Sequence, residues 1–220
     1  VEAFIAARNS AVGRRTYDRM AASAAYRSMI VGVDRLDYSK GLEERILGYE
    51  QFLEDNPDKR GQVFLLQVTP ISRDDVDSYQ DIRARLESLA GRVNGAYADM
   101  DWQPIRYLNR TFRRDQLAGI YRASRVALVT PLRDGMNLVA KEYVAARSDE
   151  RGALVLSEFT GAADELVGSI LVNPHDIDGM KDAITYAVHM EPREARKRMR
   201  RLRRRVLGHD VAAWSQEFLA

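Results

Sequence analysis

Short apolar runs alternate with amphipathic stretches along most of this chain. Six runs rich in Val, Ile and Leu show little polar alternation, which is typical of strands covered on both faces; they lie at residues 29–33, 63–68, 105–108, 125–130, 153–156 and 169–172. Helical periodicity predicts helices at residues 42–54, 75–89, 114–122, 138–147, 161–167, 176–190, 192–207 and 210–219. This alternation predicts an α/β fold, with a Rossmann-like parallel sheet of about six strands and helices on both faces.

Residues 1–27 differ from the rest of the chain. They are rich in Ala and Arg and predict helix. We expect them to be a helical lead-in from something upstream rather than a domain of their own. Residues 28–220 then form one domain with additional helices at its C-terminal end.

The composition limits the kind of protein. With 220 residues, 45% hydrophobic and 30% charged, the chain is long enough for one domain with its own core. A net charge of +2 does not favour a polyanion-binding protein. The absence of cysteine is typical of a reducing compartment, so we expect a cytoplasmic location. No apolar run approaches the roughly 20 residues of a membrane span, and we expect no membrane partner.

Residues 133–142 form the most informative segment of the sequence. They follow an apolar run, carry Gly135 at a predicted turn and continue into a predicted helix. A strand, a tight turn and a helix N-terminus make an anion site, because free backbone N–H groups and the helix dipole both point outward.

Two carboxylates flank that predicted anion site. Asp134 lies in the turn, and Glu142 follows about two helical turns later. Glu142 could accept hydrogen bonds from both hydroxyls of a ribose. Alternatively, Glu142 is a surface residue that pairs with Lys141 or Arg147.

A second candidate site lies where the first predicted strand ends, at residues 33–42. Ligands of open α/β sheets bind at the carboxyl ends of the strands. Arg35 and Lys40 bracket this turn and suit a diphosphate, while Gly41 lets the backbone come close to a ligand. Alternatively, Arg35 pairs with a neighbouring aspartate and Lys40 is merely exposed.

Two further residues follow predicted strands. Arg73 lies at a turn before a helix, where a salt bridge to Asp74 or Asp77 is the alternative to a ligand contact. Phe112 could lie over a base, and core packing is its alternative role.

The basic run at residues 193–205 raises the question of nucleic-acid binding, because clustered arginines neutralise phosphates. Met199, Leu202 and Val206 recur at helical spacing, however, which predicts an amphipathic helix with a solvated basic face. We therefore expect no nucleic-acid partner. The three histidines show no metal-ligand spacing, and no nucleophile arrangement, Rossmann glycine motif or P-loop is present.

Four segments resemble trehalose-6-phosphate synthases, which are retaining glycosyltransferases of the two-domain B-type fold. These segments are VDRLDYSKGL, SRDDVDSYQDIR, TPLRDGMNLVAKEYVAA and LSEFTGAADEL. They occur in the family's order and at family-like separations, and the resemblance runs from about Met29 to the end of the chain. It implies that residues 28–220 are the C-terminal, nucleotide-sugar (donor) binding half of that fold.

The resemblance also implies roles for individual residues. Arg35 and Lys40 match the basic pair that holds the diphosphate and stabilises it as the leaving group. Asp134 matches the acid that contacts hydroxyls of the donor glucose, and Arg73 matches an arginine facing the acceptor phosphate. Phe112 matches a residue by the uracil, and Glu142 matches the acid that binds the ribose. The other donor contacts are matched by Gly135, Met136 and Asn137 around the sugar and by Leu138 and Val139 at the diphosphate.

The implied reaction transfers glucose from UDP-glucose to glucose 6-phosphate with retention and gives trehalose 6-phosphate. It implies no cofactor and no metal. The family's N-terminal domain is missing from this chain, so we expect the isolated chain to be inactive and to expose an apolar patch that favours self-association. The alternatives are a relative with another phosphorylated acceptor, such as glycerol 3-phosphate, and a non-catalytic nucleotide-sugar-binding module.

Overall fold

The computed structural model describes residues 2–70 and 77–208. Six strands form one sheet in the order β3-β2-β1-β4-β5-β6, and all neighbours are parallel. The strands are β1 Ser28–Val33, β2 Val63–Val68, β3 Ile105–Leu108, β4 Val126–Val129, β5 Ala153–Ser157 and β6 Ile170–Val172. The prediction of a six-stranded parallel sheet is confirmed, and each strand lies within two residues of its predicted bounds.

The helices of the described residues follow the predicted order. They are α1 Glu2–Asn9, α2 Ala11–Ala24, α3 Leu42–Asp55, α4 Asp77–Tyr97, α5 Arg114–Ala123, α6 Leu138–Ala146, α7 Gly161–Glu165, α8 Ile177–His189 and α9 Pro192–Gly208. The helix predicted at residues 210–219 lies outside the described residues. None of the helices in residues 2–70 and 77–208 is long and apolar enough to cross a membrane.

Helix α4 extends eight residues beyond its predicted end, so that prediction was too short. Gly91 and Gly95 lie inside the helix, where nothing approaches the position that a side chain would take. The added turns are held by Val93, which is fully buried, and by Asn94, whose amide binds both the N–H and the carbonyl of Ile105 at 2.9 Å. Tertiary contacts therefore outweigh the low helix propensity of glycine.

Helices cover both faces of the sheet. One apolar core joins the sheet to α1, α2, α5, α6, α7 and α9, and the other joins it to α3, α4 and α8. The basic run forms α9, whose buried side includes Met199, Leu202 and Val206, so the amphipathic prediction is confirmed.

Residues 2–24 share the core of the domain. They are helical, as predicted, with a break at Ser10, whose hydroxyl caps α2 by accepting from the N–H of Gly13 at 2.9 Å. Phe4 is buried and stacks on Tyr121 of α5 with ring centroids 5.8 Å apart. That these helices lead in from another domain remains a prediction.

The strand order places a topological switch point between β1 and β4. This is the order of dinucleotide-binding sheets, in which ligands occupy the crevice outside the carboxyl ends of the two central strands. The loops that leave those ends are residues 34–41 and 130–137. Both strong sequence candidates therefore meet at one place.

Candidate functional site

The loop after β1 is organised by Asp37. Its carboxylate accepts hydrogen bonds from the Ser39 N–H at 2.9 Å and the Ser39 hydroxyl at 2.8 Å, which caps the short 3-10 helix Tyr38–Lys40. Burial opposes the charge on Asp37, but these hydrogen bonds and the nearby cations Lys40 and Arg35 outweigh it and lower the pKa of this carboxyl. Asp37 is thus engaged with the turn itself.

Gly41 joins this loop to the end of β4. Its φ of +60° lies in the left-handed region, and a Cβ would lie 2.3 Å from the carbonyl oxygen of Thr130. The carbonyl of Ser39 also accepts from the N–H of Leu132 at 2.8 Å. The close neighbour of Gly41 is therefore the other loop, and close approach of this backbone to a ligand stays a prediction.

Lys40 and Asp134 meet across the switch point. The Nζ of Lys40 lies 2.7 Å from Oδ2 of Asp134, and the two side chains are 14% and 19% exposed. The amide of Asn137 donates to the same carboxylate oxygen at 3.1 Å. Three residues predicted from two distant segments therefore form one cluster, and Lys40 is not merely exposed.

The N-terminus of α6 follows this cluster directly. Asn137 adopts a left-handed conformation with φ 67°, and its side-chain oxygen accepts from the N–H of Ala140 at 3.1 Å. Within the described residues, the N–H groups of Leu138 and Val139 have no acceptor. Leu138 is 62% exposed, so this helix end is accessible from solvent, and anion binding there stays a prediction.

A third segment supports the turn that precedes α6. The N–H of Asp134 donates to the carbonyl of Phe159 at 3.2 Å, and the N–H of Gly161 donates to the carbonyl of Asp134 at 3.3 Å. A Cβ on Gly161 would lie 2.1 Å from the carbonyl oxygen of Gly135. Sequence reasoning did not single out Gly161, although a glycine at the start of a predicted helix was an available signal.

Glu142 is half-buried in the second turn of α6 and has no hydrogen-bond or ion-pair partner among the described residues. Burial raises the pKa of its carboxyl, and the charge of Arg114 opposes that shift. The alternative partners are engaged elsewhere: Lys141 binds Glu165 at 2.9 Å, and Arg147 binds main-chain carbonyls and Asp149.

Arg35 is exposed and forms no ion pair within the described ranges. Both alternative partners are occupied, since Asp37 caps its turn and Asp34 lies 2.7 Å from the guanidinium of Arg45. Arg35 therefore adds an uncommitted positive charge to the loop that carries Lys40.

The two remaining candidates have different outcomes. Phe112 is half-buried directly before α5, packs against the core, and lies under the guanidinium of Arg110 at 5.1 Å. The core-packing alternative is therefore part of its role. Arg73 and Asp74 lie outside the described residues, as does the side chain of Asp77.

A buried polar network beneath the loops was not predicted. Arg45 is fully buried and contacts Asp34, Gln67 and Thr130. The available signal was an arginine on the apolar face of α3, one turn after Leu42 and beside Ile46.

A sequence comparison decides the family. The sequence profile of glycosyltransferase family 20 matches residues 7–220. This chain belongs to glycosyltransferase family 20. Membership agrees with the observed six-stranded parallel sheet.

Relatives in family 20 include trehalose-6-phosphate synthases. The one from Sinorhizobium fredii is 52% identical over 194 residues, which cover 88% of this chain and 42% of that protein. A structure from E. coli bound with UDP-2-fluoro glucose has a TM-score of 0.93 at 43% identity, covering 99% of this chain and 48% of the other. A UDP-forming α,α-trehalose-phosphate synthase from Burkholderia xenovorans in complex with glucose-6-phosphate has a TM-score of 0.91 at 45% identity, covering 99% and 47%. The chain therefore spans less than half the length of these relatives.

Proposed function

We propose that this chain is the donor-binding part of a UDP-forming α,α-trehalose-phosphate synthase. The full reaction transfers glucose from UDP-glucose to glucose 6-phosphate and gives trehalose 6-phosphate with retention. The relatives reported above support both substrates. The observation that carries the proposal is the 2.7 Å contact between Lys40 and Asp134 beside the N-terminus of α6.

The two charges of that contact match the two parts of a nucleotide sugar. The bond to be broken joins an anionic diphosphate to a neutral sugar ring. Lys40 and the N–H groups of Leu138 and Val139 suit the diphosphate, and the Asp134 carboxylate suits sugar hydroxyls. Because the cation and the carboxylate are adjacent, the scissile bond can lie alongside the pair, with its phosphate toward Lys40 and its sugar toward Asp134.

Cations at this position favour the transition state over the ground state. As the sugar–phosphate bond breaks, its electron pair passes to the diphosphate oxygen, which gains negative charge. The charges of Arg35 and Lys40 stabilise that oxygen most when the charge is fully developed. The acceptor hydroxyl forms the new bond on the same face of the sugar, and its proton passes to the departing phosphate. This route needs no protein nucleophile.

The nucleoside end of the donor extends along α6. Glu142 is a half-buried carboxylate without a hydrogen-bond or ion-pair partner in residues 2–70 and 77–208, and it lies one helical turn beyond Leu138. Two ribose hydroxyls would supply the hydrogen bonds that it lacks. Phe112 lies just before α5, and the charge of Arg114 in α5 affects the pKa of Glu142, which supports a place for this aromatic ring near the base.

We further propose that a second domain completes the acceptor site. The relatives are more than twice as long as the matched region, and Arg73 is the only acceptor-phosphate residue that the resemblance assigns to this chain. A cytoplasmic location and the absence of a cofactor or metal also remain predictions.

Calorimetric titration of this chain with UDP, UMP and uridine at moderate salt tests the proposal. We expect one saturable site whose affinity rises from uridine to UMP to UDP, because each phosphate adds contacts to Lys40 and the α6 N-terminus. A chain that is folded by circular dichroism and does not bind UDP would contradict it. Equal affinity for uridine and UDP would contradict the proposal that Lys40 binds the diphosphate.

A further inference from the structure

The guanidinium of Arg45 joins three strands directly beneath the candidate site. Its Nη1 lies 2.7 Å from the carboxylate of Asp34, which follows β1, and 3.0 Å from the amide oxygen of Gln67 on β2. Its Nε donates to the hydroxyl of Thr130, which follows β4, at 3.0 Å. One side chain therefore touches the carboxyl ends of β2, β1 and β4, which are the strands around the switch point.

The sheet has a space that fits this side chain. A Cβ on Gly32 would lie 2.6 Å from Nη1 of Arg45 and 2.4 Å from the amide oxygen of Gln67. A larger residue at position 32 would displace the guanidinium from the strand ends. Glycine is disfavoured within strands, and its presence in β1 is explained by this close approach.

Stability alone does not account for a buried ion pair at this position. Arg45 is 0% exposed and Asp34 is 5% exposed, so both groups lose their hydration on folding. Replacing such pairs by apolar residues of similar size is often neutral or stabilising. A buried pair with several fixed partners instead sets the relative positions of the elements that supply those partners.

The positions of the Arg45 partners show which elements the ion pair holds relative to each other. Asp34 is the first residue of loop 34–41, and Arg45 lies in the first turn of α3, which begins where that loop ends. The ion pair therefore joins the two ends of the loop that carries Lys40. Thr130 is the first residue of loop 130–137, which carries Asp134. Arg45 touches the base of both loops and neither of the residues proposed to bind the donor.

We propose that Arg45 is a positioning residue that fixes the two loops of the donor site relative to each other. Through Asp34 and Thr130 it sets the distance between Lys40 and Asp134. Its effect on nucleotide binding rests on the proposed function, whereas its effect on the two loops does not.

The test compares Arg45→Lys with Arg147→Lys. Lysine keeps the buried charge opposite Asp34 but lacks the fork that reaches three partners. Arg147 is a matched control because it is also a buried arginine that bridges elements, donating to the carbonyl of Ser124 at 2.6 Å at the other end of α6. We expect both variants to lose thermal stability and only Arg45→Lys to lose UDP affinity, by about tenfold or more.

Hydrogen–deuterium exchange decides the question without a ligand. We expect Arg45→Lys to accelerate exchange in loops 34–41 and 130–137 and to leave distant segments unchanged, while Arg147→Lys acts near residues 121–125. Unchanged exchange in both loops would overturn the proposal, as would an equal loss of UDP affinity in both variants. If the wild-type chain does not bind UDP, the proposed function fails and the exchange result still decides the role of Arg45.

A double variant covers the case in which Arg45→Lys does not fold. In Asp34→Asn with Arg45→Gln, both charges are removed and no buried charge is left unpaired. We expect this variant to fold and to show the same accelerated exchange in the two loops. Wild-type exchange there would also overturn the proposal.

Discussion

At the scale of single residues, the candidate site is distinguished by charged side chains that have no partner in the described part of the chain. Lys40 and Asp134 are bound to each other, and most other charged groups near them are engaged in turns or salt bridges. Arg35, Arg133 and Glu142 are the exceptions among the described residues of the two loops and α6, because their side chains form no hydrogen bond or ion pair there. Uncommitted charges of opposite sign, on either side of a helix N-terminus, are suited to the two ends of a nucleotide.

Replacing Arg35 by Ala should weaken UDP binding without changing the thermal unfolding midpoint. Arg35 is exposed and has no ion pair in the described structure, so its loss breaks no salt bridge there. A hydrogen bond to a charged group contributes about 1.5–3 kcal/mol, which corresponds to roughly a ten- to hundredfold loss of affinity. Calorimetry measures this loss of affinity. The control is Arg19→Ala, at an exposed position of α2. Wild-type UDP affinity in the Arg35 variant would exclude it from the diphosphate site.

Replacing Glu142 by Gln should change affinity and stability in opposite directions. The variant removes a charge-assisted acceptor for ribose, so we expect UDP affinity to fall by about 1.5–3 kcal/mol. Burial raises the pKa of this carboxyl, which means that the ionised group is less favourable in the folded than in the unfolded chain. Removing the charge at neutral pH should therefore raise the unfolding midpoint. Glu54→Gln, at an exposed position in α3, is the control for both measurements.

The raised pKa of Glu142 also predicts that UDP affinity depends on pH. Protonation of Glu142 removes its charge, and its raised pKa means that this happens at a higher pH than for an ordinary glutamate. UDP affinity of the wild type should fall as the pH drops through that folded-state pKa, while folding stability gains from the same protonation. Calorimetry at several pH values checks this prediction. If the UDP affinity of Glu142→Gln fell equally steeply at low pH, the pH dependence would belong to another group.

At the scale of elements, the site is built from loops that approach each other more closely than side chains allow. Gly41 contacts the end of β4, and Gly161 contacts the carbonyl of Gly135. These contacts hold the turn before α6 between two neighbouring segments. The helix N-terminus is therefore supported on both sides.

Gly161→Ala should displace the turn before α6. Its Cβ would lie 2.1 Å from a main-chain oxygen, which cannot move as a flexible side chain would. Overpacking of this kind costs about 1–3 kcal/mol, and we expect weaker UDP binding in addition. Gly91→Ala is the control, because nothing lies within 4 Å of its added Cβ and alanine favours helix. A fully stable Gly161→Ala chain with wild-type UDP affinity would contradict this role.

Elements were easier to predict from the sequence than contacts. The six strands were recognisable because burial on both faces leaves continuous apolar runs, and the two loops of the site follow from strand ends alone. The end of α4 was missed because Asn94 is fixed by Ile105, a contact that local propensity does not contain. Arg45 was missed for the same reason, since its partner Thr130 is 85 positions away.

At the scale of the whole molecule, the sheet has one switch point and both candidate loops leave from it. The two faces are covered by separate sets of helices, including α1 and α2 at the start of the chain. The described part thus holds every residue that we propose to bind the donor, while the matched relatives are more than twice as long as the region they share with it.

We therefore expect the purified chain to bind UDP and to release none from UDP-glucose in the presence of glucose 6-phosphate. The second domain proposed above would supply the remaining acceptor contacts, and without them the acceptor hydroxyl is not held against the donor. A coupled assay for UDP release measures this. Sustained turnover by the 220-residue chain would contradict the need for a second domain.

The contact between Lys40 and Asp134 joins residues that are 94 positions apart. Closing so long a segment has a large entropic cost, and it is recovered only when β1 and β4 have paired. We therefore expect the proposed donor site to form late in folding, after these two strands have paired. A nucleotide that spans both loops binds only the finished sheet, so it should act on the rate of unfolding and leave the rate of folding almost unchanged.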